Sequence, residues 1–269
     1  MIGPLTGTDR ILPPLDPRRR FLRLTERHVV GYARAWPALV TGVLEPFLYL
    51  LSIGVGVGEL VGEVTYAGRS VPYETFVASG MLATAAMNGA VFDTTYNFFG
   101  RLRWARLYDA VLSTPLEPRD VALGEVTWAL LRGLLYSAAF LVTMVAFGLV
   151  ESWWALAALP ATVLIGAAFA SAGLAATTYM RSYLDFSFVN LAITPMFLFS
   201  ATFFPLSEYP GWIAGVVRAT PLYQGVALCR ALTTGEVEAG LLVHVAYLAA
   251  MVAVGVAVAG RRIDGLLRS

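Results

Sequence analysis

SWWALAALPATVLIGAAFASAGLAATTYM, residues 152–180, runs for 29 residues without a single charge. An α-helix rises 1.5 Å per residue and needs roughly 20 apolar residues to cross about 30 Å of hydrocarbon, so this stretch is long enough to span a bilayer. Five further apolar runs accompany it: 36–58 with only Glu45 charged, about 71–99 interrupted by Asp93, 121–150 containing Glu125 and Arg132, 186–207 with no charge, and 241–259 with one histidine. A water-facing helix would carry a polar stripe at a 3.6-residue period, and none of these runs does. The polar–apolar alternation of a membrane barrel is absent as well. The expectation is an all-α polytopic membrane protein with six transmembrane helices occupying residues 36–260, preceded by a cytoplasmic segment at 1–35 and followed by a tail at 261–269.

Composition points the same way. Hydrophobic residues make up 58% of the 269, the 25 glycines raise the apolar share further, and charged residues fall to 14%. Soluble domains carry about 25% charge. Mean hydropathy is +0.68. All 19 basic residues are arginine, which excludes a phosphate loop in this sequence, because that motif needs a lysine on the β/γ-phosphates. Cys229 is the one cysteine, so no intramolecular disulfide and no cysteine-based metal site is expected.

The arginines are distributed unevenly. Seven precede the first run, Arg101, Arg103, Arg106 and Arg119 lie between the second and third, Arg181 between the fourth and fifth, and Arg261, Arg262 and Arg268 follow the sixth. The alternate loops hold only Arg69, Arg218 and Arg230. By the positive-inside bias, both termini and the 100–120 loop face the cytoplasm of a plasma-membrane protein.

Three segments are not spans. In RRRFLRLTERHVVGYAR (18–34), Phe21, Leu24, His28 and Tyr32 recur at steps of three and four, the pattern of an amphipathic helix lying in the interface, or of a basic flank that only fixes orientation. In RLRWARLYDAVLSTPLEPRD (101–120), Leu107, Val111 and Leu112 keep helical spacing until Pro115 and Pro118 stop it. Such a short helix needs a surface, either the membrane or a soluble partner. The stretch 203–223 holds Pro205, Pro210 and Pro221 around a segment too short to cross, which fits an outer re-entrant helical hairpin or an ordinary loop.

Ionisable groups inside apolar runs are costly unless paired. Glu45, Asp93 and Arg132 are the ones singled out, with Asp93 and Arg132 on consecutive runs and able to pair. Phenylalanines and tyrosines are plentiful where polar groups are few. Phe92, Tyr96, Phe199, Phe203 and Phe204 are candidates for a translocation path or gate suited to an amphipathic substrate. His244 and His28 fit packing roles better than catalysis.

LEPFLYLLSIGVGVG (44–58), YDAVLSTPLEPRDVALGE (108–125) and FLFSATFFPLSEYPGWIAGVVRATPLYQGVALCRAL (197–232), in that order, resemble the permease subunit of ABC-2 type exporters, particularly the branch of nodulation lipo-oligosaccharide and drug-efflux permeases. The resemblance implies that 101–120 carries a cytoplasmic coupling helix seated on an ATPase through Trp104, Leu107, Tyr108, Val111, Leu112 and Thr114. It also implies two ATPase subunits holding ATP and Mg, a second permease copy or homologue, and lipid surroundings. No catalytic, metal or cofactor residue is expected in this chain, and no nucleic acid. The rival reading is a secondary transporter or channel that works without an ATPase. An intramembrane enzyme would need a nucleophile beside a base, and no arrangement around His244 singles one out.

Overall fold

The computed structural model describes residues 20–34, 37, 40, 44, 47–101 and 107–268. Helix α1 (Phe21–Arg34) leads. A π-helical turn, Leu50–Val55, runs into α2 (Gly56–Val61). Strands β1 (Glu63–Tyr66) and β2 (Arg69–Pro72) pair antiparallel, Val64 opposite Val71. The turn between them places Ala67 (φ 51°) and Gly68 (φ 77°) in the left-handed region, as a tight hairpin of twisted strands requires. This hairpin corrects the purely helical expectation: four residues a side, with exposed positions alternating along β1, are too short to register against the long apolar runs.

Helix α3 (Tyr73–Phe92) continues through a π-helical segment, Asp93–Asn97. Short α4 (Leu107–Leu112) is followed by α5 (Pro118–Ala146). Pro118 supplies the preset φ of a first helical residue, and the Asp120 carboxylate accepts the Glu117 N–H at 3.0 Å, so α5 starts where the prolines allow. A 3₁₀ turn (Trp153–Ala157) opens α6 (Ala158–Thr177), which covers the charge-free stretch. Helix α7 (Phe186–Leu198) contains Pro195 and ends early. The fifth apolar run is therefore helical for 13 residues and then bends, with Ala201 at φ 55°. Helices α8 (Gly211–Ala219) and α9 (Pro221–Thr234) meet at Thr220, whose hydroxyl caps Tyr223 N–H at 3.3 Å. Helix α10 (Leu241–Arg268) closes the chain.

Among the described residues four helical stretches are long and apolar enough to cross a membrane: Tyr73–Asn97, Asp120–Ala146, Trp153–Thr177 and Leu241–Arg262. Phe47–Val61 and Tyr183–Leu198 are apolar but shorter. Helix α3 is the centre, packed against α5, α6 and α9, while α10 lies on α6 and is otherwise largely exposed. Small residues permit the close approaches. A Cβ on Gly255 of α10 would sit 2.8 Å from the Ser171 backbone of α6, so these helices touch main chain to side chain, as small-residue interfaces do. Helix α9 is not a surface hairpin arm: Leu222, Val226, Cys229 and Arg230 are all buried.

Candidate functional site

Helix α1 lays the face that carries Leu24, Thr25 and His28 against α5, where all three are buried. The amphipathic periodicity of 18–34 thus serves a protein contact. Its opposite side leaves Val29 and Val30 exposed. The contact centres on Glu125, 2% exposed in the second turn of α5. Its Oε1 accepts from His28 Nε2 at 2.9 Å and from the Tyr108 hydroxyl at 2.6 Å, and its Oε2 accepts from Arg101 Nη2 at 2.5 Å. One carboxylate therefore ties α1, the end of the α3 segment, α4 and α5 together. A buried carboxylate is tolerable only when paired and hydrogen-bonded, and this one is both. Burial and then the Glu125 charge hold the Tyr108 phenol well above its ordinary range, so Tyr108 stays a donor at any physiological pH.

Tyr108 and Val111 point into the bundle, where they pack with Leu24, Phe98, Val121 and Leu174. The surface that α4 and the following turn leave open includes Ala110, Ser113 and Thr114. The backbone of Leu107 and Leu112 is helical, while Trp104 and Glu45 lie outside the described residues. Arg101, which as a loop cation could reach outward, is instead spent on Glu125.

About two helical turns deeper, Asp93 Oδ1 and Arg132 Nη1 are 2.9 Å apart, with side chains 1% and 8% exposed. Arg132 Nε donates to Tyr136 Oη at 2.7 Å and Nη1 to Tyr32 Oη at 3.0 Å; Asn97 Nδ2 donates to Asp93 Oδ1 at 2.6 Å. Trp128 joins the two layers: its ring lies 5.7 Å from His28 and 4.8 Å from Tyr32, centroid to centroid. A continuous chain of contacts thus leads from Tyr108 to Arg132.

Arg132 opens on a cavity of about 490 Å³ between Tyr49, the α3 segment, α5 and α7. Phe92, Tyr96, Tyr136, Asn88 and Asn190 share its wall. Tyr96 stacks on Phe92 at 5.4 Å and accepts from Asn190 Nδ2 at 2.9 Å. The lining is mainly apolar, with a few amides and hydroxyls and a cation already neutralised by Asp93, which suits an amphipathic, uncharged group. Of the five aromatic candidates, Phe92 and Tyr96 line this space. Phe203 is buried behind it, edge-on to Phe197 at 5.1 Å, and Phe199 and Phe204 are half-exposed away from it.

Sequence reasoning placed Asp93 with Arg132 but not Glu125 with His28 and Arg101. Glu125 and Arg132 stand in the same apolar run, but the partners of Glu125 come from 97 and 24 residues away. Asn88, Asn190 and Tyr136 carried no periodic signal at all. His244 is half-buried, its Nδ1 2.5 Å from Gln224 Oε1, which matches a packing role.

Residues 19–233 match the ABC-2 type transporter family. The chain is 35% identical over 227 residues to Nodulation protein J of Rhizobium leguminosarum bv. trifolii, covering 84% of this chain and 85% of the relative. It is 34% identical over 227 residues to Nodulation protein J of Rhizobium meliloti, covering 84% of each. A more distant relative is the "Probable doxorubicin resistance ABC transporter permease protein DrrC" of Mycobacterium tuberculosis, 25% identical over 249 residues, 88% and 87% of the two chains.

Proposed function

Because this chain belongs to the ABC-2 type transporter family and is an integral-membrane transport permease, we propose that it is the membrane-spanning subunit of an ATP-driven exporter of an amphipathic, lipid-linked or drug-like substrate. In this reading Phe47–Val61 and Tyr183–Leu198 complete a six-span topology in the plasma membrane, and the segment from about Ser207 to Thr220, which includes α8, forms the outer re-entrant hairpin. Both termini and α4 lie on the cytoplasmic side. ATP and Mg are held by separate ATPase subunits, and a second permease copy or homologue pairs with this one.

The observation that carries the reading is the Glu125 knot. A push on the open side of α4, at Ala110, Ser113 and Thr114, reaches Glu125 through Tyr108 without passing through a flexible joint. From Glu125 it reaches α1 through His28 and the end of the α3 segment through Arg101. Both are hydrogen-bonded at short range to the same buried carboxylate, which makes them the contacts through which a displacement of Glu125 would be passed on. Trp128, Tyr32 and Arg132 extend the displacement to the wall of the 490 Å³ cavity. The apolar lining and neutralised charge of that cavity support an amphiphile as cargo, and the name of one relative, a probable doxorubicin resistance permease, is compatible with a drug.

Cysteine accessibility in intact cells tests the topology. The native Cys229 is buried and gives little background. Ser113→Cys is expected to resist a membrane-impermeant maleimide until the cells are opened, while Ser70→Cys is labelled at once. Labelling of Ser113→Cys in sealed cells would put α4 out of reach of any ATPase and end the proposal. Purification of the tagged chain from its own membrane should bring down an ATPase with a lysine-bearing phosphate loop, and its reproducible absence counts equally against it.

A further inference from the structure

A second cavity, of about 520 Å³, lies at the other end of the bundle, between the β1–β2 turn, the bend after α7 and the start of α10. Glu125 stands near the start of α5 and Glu151 just beyond its end at Ala146, so roughly 30 Å of helix separates this region from the knot. The wall includes Tyr66, Phe76, Tyr223, Arg230, Glu236 and His244.

Arg230 is 3% exposed, and every acceptor it has is neutral. Nε donates to Ser79 Oγ at 3.0 Å; Nη2 donates to the carbonyls of Phe76 at 3.0 Å, Ala201 at 2.9 Å and Thr202 at 3.4 Å. The guanidinium carbon lies 3.5 Å from the centre of the Phe76 ring and 5.7 Å from that of Tyr66. Nη1 has no acceptor among the described residues. Of the nearby carboxylates, Glu236 accepts from Arg69 at 2.6 Å, Arg69 also reaches Glu151 at 3.4 Å, and Glu238 stands exposed to solvent at the rim rather than against the guanidinium. A guanidinium has five N–H donors and cannot shed its charge, so a buried one without a counter-ion is incomplete unless something in the cavity supplies the anion.

We propose that this cavity binds the oxyanion of an amphiphile's head group, a phosphate-type oxygen accepting from Arg230 Nη1. The rings of Tyr66 and Tyr223 flank the adjoining stem. The acidic rim at Glu238 disfavours a polyanion and suits a zwitterion whose positive group lies outward. The assignment does not depend on which side of the membrane the cavity faces or on an ATPase, so its failure and that of the export reading are separable.

Native mass spectrometry of the intact chain in maltoside micelles tests it with three probes: dihexanoylphosphatidylcholine, dihexanoylglycerol and inorganic phosphate. The phospholipid should be retained and the diglyceride lost. Arg230→Gln should lower phospholipid occupancy at least tenfold. Ala227→Phe, which fills the cavity but leaves the bonds of Arg230 to Ser79, Phe76 and Ala201 in place, should do the same if Arg230→Gln fails to fold. Retention of inorganic phosphate that also depends on Arg230 would show that the oxyanion alone suffices; lipid retention without it assigns the amphiphile as the source. Equal retention of phospholipid and diglyceride, no adduct at all, or an adduct unchanged by both variants overturns the proposal.

Discussion

Arg132 and Arg230 are both buried among apolar helices, yet the fold meets their charges in different ways. Arg132 has Asp93 at 2.9 Å, so the pair is neutral and its phenol neighbours only orient it. Arg230 has carbonyls, a hydroxyl and an aromatic face, which satisfy hydrogen bonds without cancelling the charge. The first arrangement balances its charge, although Asp93 Oδ2 takes no hydrogen bond from the described residues, and it ties the α3 segment to α5. The second pins α9 to α3 and the bend at 201–202 while leaving a positive site at a cavity wall. Hydrogen-bond satisfaction and charge balance are separate requirements in low dielectric, and a membrane protein can meet one without the other.

That contrast can be broken most forcefully at the neutral pair. Asp93→Ala strands the Arg132 charge and should cost about 3–5 kcal/mol, the range for removing one partner of a buried ion pair. Denaturant titration in micelles reads it, and Asp93→Ala combined with Arg132→Met should recover much of the loss. A single-variant cost no larger than that of the double variant would mean that the charges do not compensate each other.

A smaller effect is expected where Arg230 takes its acceptors. The bend at Thr202 fits only because Gly80 has no side chain: a Cβ there would stand 3.0 Å from the Thr202 methyl and 3.1 Å from its Cα and carbonyl oxygen. Gly80→Ala must displace main chain that also accepts from Arg230, and about 1–3 kcal/mol of overpacking cost follows. Unchanged thermal stability would show that the bend yields freely and that Arg230 does not depend on its position.

The smallest effect belongs to Arg69, which pairs with Glu236 and Glu151 at the mouth of the same cavity but is itself half-exposed. Arg69→Ala should cost under about 1 kcal/mol, less still at high salt, since solvent screens such pairs. A loss comparable to that of Asp93→Ala would place Arg69 among the structural cations.

Much of this was legible before any coordinates. Charge-free stretches longer than a bilayer, asymmetric arginines and a polar residue on each of two adjacent runs follow from one-dimensional spacing. The Asp93–Arg132 pair could be anticipated because an apolar run offers a lone charge few partners. The Glu125 knot could not, since His28 and Arg101 lie in segments already rich in charge, where nothing marks which one turns inward. The inward rotation of Tyr108 and Val111 was hidden for a similar reason: a short helix carries apolar residues whether it faces a partner or its own bundle.

Solvent preference, then, is written along the chain, because transfer from water to oil depends on composition within a window of about 20 residues. Family membership is likewise carried by strings of residues in order. Which charges end up neutralised, which aromatic rings wall a cavity and which arginine is left without a counter-ion were settled only by packing. Those outcomes rest on contacts such as Asp93–Arg132 and Arg230 with Thr202 and Phe76, between residues 28 to 154 positions apart, and hydrogen bonds and ion pairs act over about 3 Å of space regardless of separation in sequence.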